Sequence, residues 1–242
     1  SKTCKHKRSK TRAGRRTLEN KNDAKRKNTN PKTTKRTGSV CKMSKIERFM
    51  RHGNHHLLWD HLPKMKNVHH IALALGHYNE SVTQMAAQRL AGMPPEKVAP
   101  VLDKIVAEVG QHTTGTDEEI DRVILNAGAP AVPHLVKLIE ISNDRNSVYS
   151  AGLILKYMVE DMGMAQDVKP FAERLHAVLV SRDAKNDWGE GLHHPAAQKI
   201  AMTLAALGDK RALPFLKKEV AKERSSALHF MIRKRIRELE KK

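Results

Sequence analysis

The chain has 242 residues, with 45 Lys or Arg against 26 Asp or Glu, and a net charge of +19. Only 4% of residues are aromatic, which argues against a β-sandwich or an aromatic-lined cofactor pocket, and no apolar run reaches the ~18 residues of a membrane-spanning helix. Two cysteines, Cys4 and Cys41, are too few for a disulfide framework. Nothing resembles a secretory signal, so a reducing intracellular compartment, cytoplasm or nucleus/nucleoid, is expected.

Residues 1–42 hold 16 Lys or Arg and two acids, Glu19 and Asp23, a net of +14. Residues 43–242 hold 29 and 24, a net of +5. Leu18 and Val40 are the only sizeable apolar side chains of the first segment. Such a stretch cannot bury enough surface to offset the entropy of ordering it, and it is expected to be a disordered basic arm. Lys5, Lys7, Arg8, Arg12, Arg15, Arg16, Lys25, Arg26 and Lys27 are the expected phosphate contacts. Cations on flexible stems displace condensed counterions, and no aromatic residue is present to stack on bases, so binding by the arm should be sequence-independent. Two other readings fit the same residues. The arm can be a targeting signal, or Met43-Ser44-Lys45 can be an ordinary chain start that leaves 1–42 outside the functional protein.

From residue 43 apolar positions recur at three and four, the helical period. Helices are predicted over 44–51, 54–61, 66–76, 80–91, 95–109, 117–127, 130–142, 146–160, 167–181, 195–206, 210–222 and 225–240. Ser44 with Glu47 and Thr116 with Glu119 have the spacing of capping boxes. His52, His55, His56, His61, His69, His70 and His77 crowd the first of these segments, and His193-His194 form a further pair. Imidazoles four apart on a helix can share a zinc ion, but no Cys lies near and no His-Glu-x-x-His occurs. A half-exposed, phosphate-facing His surface is expected there, and neither a metal nor another cofactor.

Further on, one phrase repeats. It reads Ala91-Gly92-Met93-Pro94-Pro95-Glu96-Lys97-Val98-Ala99-Pro100, then Gly128-Ala129-Pro130-Ala131-Val132-Pro133, then Met162-Gly163 to Lys169-Pro170, then Leu207-Gly208-Asp209-Lys210-Arg211-Ala212-Leu213-Pro214. Pro100, Pro133, Pro170 and Pro214 are spaced by 33, 37 and 44 residues, and Pro63 lies 37 before the first. Glycine lets one helix end in a left-handed residue, and proline in the first turn of the next has no helical N–H to lose. Each helix pair leaves apolar stripes that only a stacked neighbour can bury: Ile120, Val123, Ile124 and Ala127 on one face, Val132, Leu135, Val136, Leu138 and Ile139 on the next.

At these residues, over about 80–224, the chain resembles the HEAT-like repeat family, in particular the short repeats first associated with phycobilisome lyases. The resemblance implies an all-α fold, an α-solenoid of about four to five helix pairs behind the basic arm. It does not imply one function, since the family includes scaffolds, lyases, hydroxylases and nucleic-acid-binding proteins. The di-iron hydroxylases of that family use His-Glu steps, and no His here is followed by Glu. Bilin-lyase activity fits poorly with two cysteines confined to the arm.

Residues 182–194 interrupt the rhythm with two glycines and Trp188, and are expected to form an inserted loop with Trp188 as a partner anchor. Residues 225–242 are expected to form a capping helix, with Ala227, Leu228, Phe230, Met231 and Ile236 as its apolar face. Arg233, Arg235 and Arg237 in its later turns are a second set of phosphate candidates.

The function expected is a non-enzymatic scaffold that binds nucleic acid or a ribonucleoprotein, with another protein as a further partner on the concave face and no membrane. One alternative is a protein–protein adaptor whose arm is a targeting signal. The other is a HEAT-like DNA base-excision enzyme. It would draw its acid from Asp60, Asp144, Asp161 or Asp187 and its aromatics from Trp59, Tyr78, Tyr149, Tyr157 or Trp188.

Overall fold

A computed structural model describes residues 44–185, 195–222 and 227–241. The chain divides into one unit of Ser1–Cys41 and another of Lys42–Lys242, and the described residues all belong to the second. The predicted arm and Trp188 lie outside them.

Every described secondary-structure element is helical. The short helices α1 (Lys45–His52), α2 (His55–His61) and α3 (Val68–Ala74) come first. The longer helices α4 (Glu80–Ala91), α7 (Thr114–Ala127), α9 (Arg145–Glu160), α12 (Pro195–Ala206) and α14 (Ala227–Lys241) then alternate with a second set. In that set α5 (Pro95–Val98) leads to α6 (Leu102–Ala107), α8 (Val132–Ile141) stands alone, α10 (Ala165–Val168) leads to α11 (Ala172–Lys185), and α13 (Leu213–Lys222) stands alone.

The prolines mark where the second set begins. Pro63, Pro100, Pro130 and Pro170 lie inside single 3-10 turns, and Pro133 and Pro214 are the second residues of α8 and α13. The helices predicted as continuous over 95–109 and 167–181 are each divided at such a turn, because proline has no N–H to donate and its ring crowds the preceding turn. Gly128, Gly163 and Gly208 have φ of 65°, 70° and 83°, as the turn reading expects, whereas Gly92 has φ −84°.

Two boundaries differ from expectation. Thr116 is not a cap: α7 begins at Thr114, and Thr116 is buried inside it. The earlier start places Thr113 so that its hydroxyl donates to Glu80 Oε1 at 2.8 Å, a tertiary contact that outweighs the local pattern. The inserted loop expected from residue 182 begins later, because α11 continues to Lys185. Its remainder lies outside the described residues. Ser44 does cap α1, with Oγ accepting from the Glu47 N–H at 3.0 Å.

Packing follows chain order. α4 lies against α7, α7 against α9, α9 against α12 and α12 against α14. α6 lies against α8 and α8 against α11, while α8, α11 and α13 each also meet the long helix that follows. One continuous cluster of buried side chains runs through these elements, from Met50 and Leu58 through Ile105, Ile124 and Ile139 to Ile232 and Leu239. All of the predicted faces at 120–127 and 132–139 lie in it except Leu138, which is half-buried.

Polar side chains connect positions about one repeat apart. Thr113 reaches Glu80, Gln111 reaches Ser147 (2.5 Å), Arg174 grips Glu140 through two bonds (2.6 and 2.7 Å), and Lys218 reaches Asp183 (2.6 Å). The separations are 33, 36, 34 and 35 residues. Arg211 reaches Glu173, 38 residues before it, and pairs with Asp209 within its own turn.

Candidate nucleic-acid interface

Helix α14 is the part of the expected interface that the structure describes. Among its described side chains His229, Ile232 and Leu239 are buried, and Ile236, one of the expected apolar face, is half-buried against the core; the side chains of Ala227 and Leu228 lie outside the described ones. Phe230 is 66% exposed and Met231 46% exposed. Of the expected face, Ile236 is covered and Phe230 and Met231 are not. Spacing alone left two apolar stripes to choose from, and the one that includes Ile232 and Leu239 is the one that meets α12 and α13.

Phe230, Arg233 and Arg237 line a groove of about 500 Å3 between α13 and α14, with Val220 and Ile236 among its lining residues. Positions 230, 233 and 237 are three and four apart and share one face. An exposed aromatic ring with two guanidinium groups on one face can stack on a base and neutralise adjacent phosphates. Arg237 Nε lies 3.4 Å from the Arg233 carbonyl, which leaves the rest of its donors for a ligand. Val220 belongs to α13, so the groove exists only while the two helices are packed together.

Arg235 has a different task. Its guanidinium donates to Glu160 Oε1 of α9 at 2.8 Å and to Glu238 Oε2 at 2.9 Å. Glu160 also accepts from Lys156 Nζ at 2.5 Å. Arg235 is therefore committed to a partly buried ion pair that joins α14 to α9. Of the three phosphate candidates on this helix, it is the one whose guanidinium is paired with acids of the described residues. Lys5, Lys7, Arg8, Arg12, Arg15, Arg16, Lys25, Arg26 and Lys27, and the anchor candidate Trp188, lie outside the described residues.

Of the seven clustered histidines, His52, His56, His61 and His69 are exposed and His55 and His70 half-exposed, and one departs from the expected half-exposed surface. His77 is buried; its Nδ1 accepts the Asn79 N–H at 3.0 Å and its Nε2 lies 3.1 Å from the Gly53 carbonyl. It fastens the α3–α4 turn to the α1–α2 turn. α3 ends at Ala74, so His70 and His77 do not share a helix face. Among the described residues no group of three or more His, Cys, Asp or Glu side chains is placed to hold a metal ion. His193 and His194 lie outside the described residues.

The acids suggested for base excision are scattered. Asp144 caps α9, accepting from the Ser147 N–H at 2.7 Å. Asp60 and Asp161 are exposed, and Asp187 lies outside the described residues. Among the described residues, the groove at Phe230 has no carboxylate in its lining, and a groove of about 240 Å3 that includes Asp103, His134 and Lys137 has no Phe, Tyr or Trp.

One cluster escaped the sequence reading. His112, in the α6–α7 turn, has Nε2 3.3 Å from Glu108 and Nδ1 3.8 Å from Glu80 of α4, while its N–H donates to Asp117 of α7 at 3.3 Å. The Glu108 carboxylate, against the opposing effect of burial, raises the His112 pKa above its ordinary value. One turn along α7, burial and then the nearby Asp117 and Glu118 charges push Asp121 up to about 7. The i,i+4 spacing of Glu108 and His112 was visible in sequence; the arrival of Glu80 and Asp117 required the fold. These contacts join three helices, α4, α6 and α7. Comparisons with family models, curated proteins and solved structures returned no match.

Proposed function

We propose that residues 43–242 form a HEAT-like α-solenoid of about four to five helix pairs, which serves as a non-enzymatic scaffold for nucleic acid or a ribonucleoprotein. The basic arm supplies most of the affinity and does not read sequence. The solenoid reading is supported by packing in chain order and by polar ties that recur at about one repeat length. The observation that carries the function is the net charge of +14 on residues 1–42. The Phe230–Arg233–Arg237 face adds a fixed platform on which a strand can stack.

Binding of duplex DNA and of structured RNA, compared at low and moderate salt, tests this. Steep salt dependence that is largely lost on removing residues 1–42 is expected. Equal affinity with and without the arm would refute it.

A second reading, the protein–protein adaptor, is favoured by one feature. Ile46, Phe49, Leu57 and Trp59 on α1 and α2 are all exposed, and Trp59 and Leu57 are each half-exposed. Large apolar side chains grouped on two adjoining helices suit a protein partner. Partners that survive nuclease treatment and are lost with Trp59→Ala would support this reading over the first.

A further inference from the structure

A separate groove of about 540 Å3 lies among α3, α4 and α5, and three cations, Lys66, Arg89 and Lys97, line it with no acid among the described residues. None of the three is in an ion pair with a described residue. Arg89 is already held in place: its Nη2 donates to the Met65 carbonyl at 2.8 Å. Its Nε is buried and has no hydrogen-bond partner among the described residues. A guanidinium fixed before a ligand arrives loses little rotamer freedom on binding. The carbonyl end of α4 points the same way and opposes an anion. That effect is about 0.3–1 kcal/mol at a helix end. Full charges on three side chains outweigh it.

Gly92 sharpens the case. It lines this groove, yet neither backbone nor packing requires a glycine there. Its φ of −84° is open to any residue, and an added Cβ would meet only the Gln88 and Arg89 carbonyls at 3.7 and 3.8 Å, ordinary van der Waals distances. What the missing side chain provides is space in the groove. The remaining surface is apolar at Val68, Met93 and Pro94, with the Gln88 amide at its edge. The volume falls in the range of small-molecule sites and exceeds what a bare phosphate fills.

We infer that this groove is a binding site for a nucleoside mono- or diphosphate. The phosphates lie against Arg89, Lys66 and Lys97, the base lies on the apolar floor, and Gln88 meets its polar edge. The inference is independent of the nucleic-acid reading, which rests on the arm and α14.

The test is methyl-methionine NMR on the full chain at moderate salt, which suppresses loose binding to the arm. The probes are ADP, inorganic pyrophosphate, and an oligonucleotide with and without a 5′-phosphate. ADP should shift the Met93 methyl saturably and leave that of Met231, on α14, unmoved. Arg89→Gln should weaken ADP about tenfold, the scale of one charge-assisted hydrogen bond. Lys97→Gln, at an exposed position, should weaken it without risk to the fold. Gly92→Leu should abolish the shift at unchanged helical content and melting temperature. No saturable shift with ADP, or a shift that persists in folded Gly92→Leu, would overturn the site. Pyrophosphate binding as well as ADP would overturn the nucleoside assignment. A response to the 5′-phosphorylated oligonucleotide alone would overturn the free nucleotide as ligand. Loss of nucleic-acid binding with an intact Met93 response would count against the arm reading only.

Discussion

Gly110 shows how one residue can set a joint between helices. Its φ is +71°, and a Cβ there would lie 2.7–2.8 Å from backbone atoms of Asn146 and Ser147, in the first turn of α9. Backbone cannot give way as a flexible side chain does. Gly110→Ala should therefore cost about 3 kcal/mol, from left-handed strain and overpacking together, as read by chemical denaturation. Gly92→Leu should cost almost nothing by the same measurement.

Two titrating side chains of the α6–α7 region give stability a pH dependence of known sign. Asp121 titrates near 7 when folded, against 3.8 as its ordinary value. Between those values the folded state keeps a proton that the unfolded state has lost, so stability falls as pH rises through the window. The shift corresponds to about 4 kcal/mol at most. Asp121→Asn should raise the melting temperature at pH 8 and leave it nearly unchanged below pH 4. His112, with its pKa raised beside Glu108, contributes stability that is fully present below its ordinary value of 6.5 and lost as pH rises through the folded value. His112→Gln should therefore destabilise the protein at pH 6 and have a smaller effect at pH 9. A stability profile that moves the other way would contradict both assignments.

At the scale of elements, α14 separates two kinds of arginine. Arg235→Ala leaves the partly buried Glu160 with Lys156 as its remaining cation and removes the tie between α14 and α9, and should cost about 1–3 kcal/mol in stability. Nucleic-acid affinity should hold under folding conditions. Arg233→Gln and Arg237→Gln should leave stability alone and reduce the salt slope by about 1 each, one phosphate contact apiece. Denaturation and salt-titrated binding on the same three variants decide the matter. A similar affinity loss for all three would refute the division.

Much of the element order was legible. The recurring prolines mark physical events, the loss of an N–H at a helix start, and each lies at a 3-10 turn or in the first turn of a helix. Helix periodicity found the buried faces of α7 and α8. On α14 it found Ile236 but misplaced Phe230 and Met231, because Phe230 and Ile232 offer competing stripes and only the neighbouring helices decide which is covered. It failed at Thr116 because Glu80, 33 residues before Thr113, draws the helix start forward. The candidate site was legible as residue types and not as geometry. Arg235 and Arg237 look alike in sequence and are told apart only by Glu160, 75 residues before Arg235. The groove at Arg89 left no sequence signal, since Lys66 and Lys97 are far apart along the chain.

At the scale of the whole molecule, the claim is a division of labour. Residues 43–242, with net +5, hold helices together through apolar burial and charge pairs, while residues 1–42, with net +14, are expected to seek phosphate. The most direct measurement is the slope of log K against log salt for duplex DNA, on the whole chain and on residues 43–242. With about 0.9 counterions released per phosphate contact, the whole chain should show a slope of about −5 or steeper. Removing the arm should cut that slope by more than half. Identical slopes for the two chains would contradict the account at its centre.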